Sequence, residues 1–184
     1  MTEPLPKGDE PGDLELIARW RSGDERAATE LVARHAPALA RFAAASGAGT
    51  DVEELVQDTF VRAFSAIDTF RGESSFRTWL FTIERRLLLD RRRSERRRGP
   101  EVELDESHVA TSHDALDSVV AAESQQRLRV AVGRLSPTQR EVFTLRVAEG
   151  LSYKEIATSV GTTEGAARVH YHNAMRAIKE FLDD

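Results

Sequence analysis

Apolar residues return along this chain at the three-and-four spacing of helices, and the strict alternation of a half-buried strand is missing. The pattern predicts helices over 13–22, 25–45, 51–68, 75–96, 123–134, 137–148, 152–159 and 163–181. Three carry a capping-box signal at their start: Thr50-x-x-Glu53, Ser136-Pro137-x-Gln139 and Ser152-x-x-Glu155. Residues 99–122 lose the period and turn polar and acidic, and so read as a flexible linker. Residues 1–12, polar and rich in Pro and Gly, read as a disordered tail. The expected fold is all-α, with two small helical domains joined by the acidic linker and a helix-turn-helix in the second.

The helix at 51–68 sorts its residues most cleanly. Val52, Leu55, Val56, Thr59, Phe60, Ala63, Phe64 and Ile67 form one stripe for a core. Glu54, Gln57, Asp58, Val61, Arg62 and Ser65 share the opposite face, which an ordinary solvated helix would explain as well as a docking surface. In the next helix Phe76, Trp79, Leu80, Ile83 and Leu87 make the core stripe. Arg77, Arg85, Arg91 and Arg92 fall to one side, and Arg86 and Arg93 to the other. Taken alone, the aromatics here read as core; with the arginines they fit single-stranded nucleic acid, where cations track phosphates and rings stack on bases.

From 152 onward, Tyr153 to Val160 reads as a first helix, Gly161-Thr162-Thr163 as a tight turn, and Glu164 onward as a recognition helix. Its inward face takes Ala167, Tyr171, Ala174, Met175, Ile178 and Leu182. Arg168, Val169, His172, Asn173, Arg176 and Lys179 point outward, offering donors to phosphates and base edges in a major groove.

Charge changes this picture more than composition does. The 184 residues carry a formal net charge of −5, yet 71–98 hold ten arginines against four acids, and 99–126 have no Lys or Arg. Blocks of opposite sign suggest separate surfaces with separate partners. Cysteine is absent, which excludes disulfides and thiolate chemistry. His170 and His172 point about 200° apart on a helix and cannot share a metal ion as an i, i+4 pair could. No Gly-rich phosphate loop, nucleophile elbow or carboxylate pair stands out, so no catalytic residue, metal or cofactor is expected. No apolar run is long enough for a signal peptide or a membrane span, and a cytoplasmic protein is the expectation.

Two stretches resemble the extracytoplasmic-function sigma factors of bacterial RNA polymerase. Asp51-Val-Glu-Glu-Leu-Val-Gln-Asp-Thr-Phe-Val-Arg-Ala-Phe resembles their region 2 helix that docks on the polymerase clamp. Phe70-Arg-Gly-Glu-Ser-Ser-Phe-Arg-Thr-Trp-Leu-Phe-Thr-Ile resembles the segment that reads and melts the −10 element, and 135–181 resembles region 4, which reads the −35 element. The resemblance makes 13–98 region 2 and 123–184 region 4. It implies core-polymerase contacts at Glu54, Gln57, Asp58 and Val61. It implies −10 contacts at Phe70, Arg71, Ser74, Ser75, Phe76, Arg77, Trp79, Arg85, Arg86 and Arg92, with the 70–76 loop holding a flipped base. For the −35 duplex it implies Thr163, Glu164, Arg168, Val169, His172, Asn173 and Arg176. The implied partners are core RNA polymerase, promoter DNA (duplex at −35, single-stranded at −10) and an anti-sigma factor, with the free chain a monomer and not an enzyme.

Arg86 stands where the family often has Asn, and His170, Asn173 and Met175 occupy positions that are commonly basic. The 135–157 segment also resembles the helix-turn-helix of response regulators, but 13–98 lack the alternating strands of a receiver domain. A nucleic-acid-processing enzyme would need a catalytic cluster that the sequence does not offer.

Overall fold

The computed structural model describes residues 12–98 and 117–183. The expected tail up to residue 11 and most of the expected linker, 99–116, lie outside them. Eight α-helices are present and no strand occurs among the described residues: α1 (Asp13–Arg21), α2 (Glu25–Ala45), α3 (Val52–Ser65), α4 (Phe76–Arg98), α5 (Asp117–Gly133), α6 (Pro137–Val147), α7 (Tyr153–Val160) and α8 (Glu164–Asp183). Helix α5 differs from expectation: it begins six residues before 123, inside the expected linker, because its first turns carry no three-and-four apolar repeat to mark them.

Local chemistry explains most of the boundaries. Asp24 caps α2 by accepting from Arg26 N, and Arg19 grips the same carboxylate through Nε and a terminal nitrogen at 3.0 and 2.8 Å. Capping boxes form at Ser136 with Gln139 and at Ser152 with Glu155. The third expected box rests on Thr50, whose side chain lies outside the described residues. A 3₁₀ turn over Gly49–Asp51 precedes α3, whose N-cap is Asp51 without a side-chain cap bond. The helix then stops at Ser65, and a second 3₁₀ turn, Ile67–Thr69, carries Ile67 into the core.

Helices α1–α4 build one domain and α5–α8 the other, but the two share a core. Leu16, Leu31, Leu39, Phe42, Phe60, Phe76, Leu80 and Phe81 belong to the same buried cluster as Val142, Leu145, Ile156, Val160 and Ala167. The joint is made by α4 against α7 and by α2 against α6. A separate small cluster of Ala131, Leu135, Ala174 and Ile178 fixes α5 to α8.

The Ser152 cap sits at the head of the helix that forms this joint. Ser152 Oγ accepts from Glu155 N at 3.3 Å while Glu155 Oε2 accepts from Ser152 N at 2.8 Å. Ser152→Ala is expected to cost about 1 kcal/mol, as lost N-caps do. Urea titration should show the midpoint falling with the slope unchanged.

Candidate polymerase and nucleic-acid interfaces

The outer face of α3 is a continuous exposed strip. Glu54, Gln57, Asp58, Val61, Arg62 and Ser65 all lie in solvent, Val61 with 67% of its surface exposed, while Leu55, Val56, Thr59, Phe60 and Ala63 are buried behind them. Val61 lies one turn beyond Asp58 on this strip, an exposed apolar side chain with polar and charged neighbours. The structure adds a residue that sequence reasoning placed elsewhere. Arg91, from α4, reaches Asp58 Oδ2 at 2.7 Å and Glu54 Oε1 at 3.2 Å, holding the two carboxylates one helical turn apart.

The loop between α3 and α4 has a different character from the one its aromatics suggest. Phe70 and Phe76 are 8% and 2% exposed. Phe76 packs edge-on against Phe70 and His35, with centroids 5.6 Å away in each case, and Trp79 closes the group at 5.8 Å. Both phenylalanines are therefore core in this conformation, and neither ring offers a face for a base. Arg71 and Ser75 remain exposed and Ser74 half-exposed, Gly72 turns the chain at φ 73°, and Ser75 Oγ caps α4 by accepting from Thr78 N at 3.1 Å. The loop and the start of α1 enclose an open cavity of about 570 Å³ lined by Gly12, Asp13, Leu14, Gly72, Glu73 and Ser74, among others. Nothing in the sequence marks the α1 wall, because about sixty residues of chain separate it from the loop.

Arg77, Arg85 and Arg92 share one side of α4, as their spacing requires, and all three pair with protein groups. Arg77 pairs with Glu149 through a short contact to Oε2 and donates to the Glu149 carbonyl at 3.0 Å. Arg85 Nε donates to Glu141 Oε2 at 2.8 Å, and Arg92 donates to the Ser46 carbonyl at the end of α2. Arg86 is exposed on the other side. Glu84, on the turn between Arg77 and Arg85, is fully buried, and neither carboxyl oxygen has a hydrogen-bond partner among the described residues. Burial, with Glu149 nearby as a smaller contribution, pushes its pKa up to about 9.

The helix-turn-helix is formed by α7 and α8. Gly161 takes the left-handed conformation at φ 68° and ends α7, and Thr163 Oγ1 caps α8 by accepting from Ala166 N at 3.1 Å. Ala167, Ala174 and Ile178 are buried, while Arg168, Val169, His172 and Arg176 are exposed and Asn173 half-exposed. Met175 departs from expectation: it is 40% exposed, because α5 and α6 pack on the Ala174–Ile178 edge and leave its side open. Arg168 pairs with Glu164 at 3.1 Å and lies over the Tyr153 ring, which Arg146 also covers.

Residues 31–98 match the family model of sigma-70 region 2, and residues 125–178 that of sigma-70 region 4. Along the full chain, the RNA polymerase sigma factor CnrH of Cupriavidus metallidurans is 36% identical, over 95% of this chain and 96% of its own. The ECF RNA polymerase sigma-E factor of Escherichia coli K12 is 33% identical over 90% and 92%. Among solved structures, the sigma factor RpoE in complex with the anti-sigma factor NepR from Bartonella quintana superposes with a TM-score of 0.71 at 28% identity, covering 84% of this chain and 96% of that one. CnrH in complex with the cytosolic domain of CnrY gives 0.67 at 32% identity, covering 93% and 97%. Two region models in the right order, and relatives alike along nearly their whole length, make this chain a member of the extracytoplasmic-function RNA polymerase sigma factors.

Proposed function

We propose that the chain docks on core RNA polymerase through Glu54, Gln57, Asp58 and Val61, and then directs initiation by reading two promoter elements. The exposed face of α8 would take the −35 duplex, and the 70–76 loop with the arginine side of α4 would take the melted −10 strand. It makes and breaks no bonds itself; the phosphoryl chemistry belongs to the polymerase. A subunit of that enzyme works where the enzyme works, in the cytoplasm. No helix among the described residues is long and apolar enough to cross a membrane. The complex of its relative RpoE with NepR supports an anti-sigma factor as a third partner.

The observation that carries the reading is the pairing, in one chain, of the exposed acidic strip on α3 with an outward-facing helix-turn-helix. Core polymerase supplemented with the purified chain should give transcripts from specific promoters that core alone does not give. A preparation that neither co-elutes with core nor yields such transcripts overturns it.

The two arginines of α8 should differ in kind. Arg168 lies in the first turns of the recognition helix, where side chains reach base edges; Arg176 lies two turns on, where phosphates are the nearer target. Arg168→Ala is expected to cost about 1–3 kcal/mol and to relax preference at one −35 position. Arg176→Ala should weaken all sequences alike and lower the salt slope by about one unit. A −35 mutant panel read with holoenzyme at two salt concentrations separates the two.

A further inference from the structure

The side of α4 that would take the −10 strand is, in this conformation, covered by the second domain, and the cover is anionic. Glu149 follows α6, and its side chain is fully buried. Its carboxylate lies in a fork made by two helices of the first domain: Arg41 of α2 at 2.8 and 3.1 Å, and Arg77 of α4. Glu141, two turns earlier on the same side of the joint, lies 2.8 Å from Arg85. Beside the fork is an open cavity of about 310 Å³ lined by Arg34, His35, Pro37, Ala38, Arg41 and Arg77. Arg34 and His35 on its wall are tied to Asp13, at 2.9 Å in each case. Arg41 stays 54% exposed along its side chain even while it holds Glu149.

Planar guanidinium forks bind carboxylate and phosphate with the same geometry, so a site built for one accepts the other. Arg41 and Arg77 both line the cavity, so a phosphate entering it meets the fork. The closed joint also cannot be the initiating conformation. The two promoter elements lie more than one DNA turn apart, a turn being about 34–36 Å, whereas α4 here touches α7 of the helix-turn-helix directly.

We propose that Arg41 and Arg77 form an anion subsite that takes a backbone phosphate of the melted promoter strand, and that the Glu149 carboxylate fills this subsite in the free chain. The inference rests on the reading of α4 as the −10-facing helix. Arg41 thereby becomes a strand-contacting residue outside both sequence motifs, and Glu149 the chain's own substitute for nucleic acid. Held in the same molecule, that carboxylate acts at an effective concentration of about millimolar. A free strand loses to it until core polymerase spreads the two domains over the promoter.

The test uses the full-length chain and a fluorescein-labelled, mixed-sequence DNA single strand. By anisotropy, Glu149→Gln should bind the strand about tenfold more tightly than the wild type, and with a salt slope steeper by about 0.7 for one added phosphate contact. Adding Arg41→Ala to that variant should remove both gains. Far-UV circular dichroism confirms that the helices persist. An unchanged affinity in Glu149→Gln, or a gain that survives Arg41→Ala, overturns the proposal.

Arg41→Ala alone, in holoenzyme, provides the second measurement: promoter melting should fall about five- to tenfold, as expected for one lost charge-assisted contact, with affinity for core unchanged. Undiminished melting overturns the subsite. Wild-type holoenzyme that melts no promoter would instead overturn the reading of α4, which keeps the two failures apart.

Discussion

A chain carrying Glu54→Lys and Asp58→Lys together is expected to lose core polymerase binding while keeping its fold. Both side chains stand in solvent opposite the buried stripe of α3, so neither reversal disturbs packing. Exposed substitutions of this kind change stability by about 0.5 kcal/mol. The local cost here is somewhat larger, because Arg91 would face two lysines in place of two carboxylates; exposed ion pairs of this sort are worth about 0.2–1 kcal/mol each. Carboxylates at a docking surface complement cationic groups on the partner, and against those each reversal replaces attraction with a like-charge contact costing several kcal/mol. Two together amount to a loss of at least about a thousandfold, since each 1.4 kcal/mol is tenfold. Titration of labelled chain with core polymerase measures the first quantity and a thermal melt the second. Unchanged affinity for core in the double variant overturns the clamp assignment of α3. A single Arg91→Ala variant is the natural companion, because it leaves both carboxylates in place and removes only what holds them at a fixed spacing.

The strip on α3 is legible in the sequence alone because one helix repeats on itself: seven apolar positions and Thr59 at the right spacing leave only one face for Glu54, Asp58 and Val61. The helix-turn-helix is legible for the same reason, with Gly161 marking a turn that needs a left-handed residue. What the sequence hides lies between elements. Arg77 and Arg85 have the same spacing whether they wait for phosphates or hold Glu149 and Glu141, 72 and 56 residues away. Periodicity reports which residues share a side and not what lies across from it. Phe70 and Phe76 show the converse. An aromatic at a loop entrance reads equally as a base-stacking platform or as core, and only the contacts with His35 and Trp79 decide for core in this conformation.

Glu84 is the residue with the most to reveal about the joint. In the sequence it is one of four acids scattered among ten arginines, with nothing to single it out. In the structure it is fully buried and its carboxyl oxygens have no hydrogen-bond partner among the described residues, and its pKa stands at about 9. A raised folded-state value means that the folded chain binds a proton the unfolded chain has already released. The associated stability is complete below the unfolded value of 4.5 and is lost as pH rises towards 9. Over that window the slope is about 1.4 kcal/mol per pH unit, so near neutral pH the protonation costs on the order of 3 kcal/mol.

Glu84→Gln removes that cost and little else. The amide has the shape of the protonated acid and leaves a polar group equally short of partners. The variant is therefore expected to match the wild type near pH 4.5 and to exceed it increasingly as pH rises. At about 2–4 °C per kcal/mol for a chain of this size, the gain should approach about ten degrees in melting temperature near neutral pH. Asp13 and Glu155, whose carboxyls are held below their ordinary values, titrate at the acid end and carry the opposite sign. Both residues are the same in the two proteins, so the difference between their melting curves isolates Glu84. Melts at several pH values from about 5 to 9 would show it, and parallel curves for the two proteins would mean that Glu84 is ionised or hydrated in the folded chain.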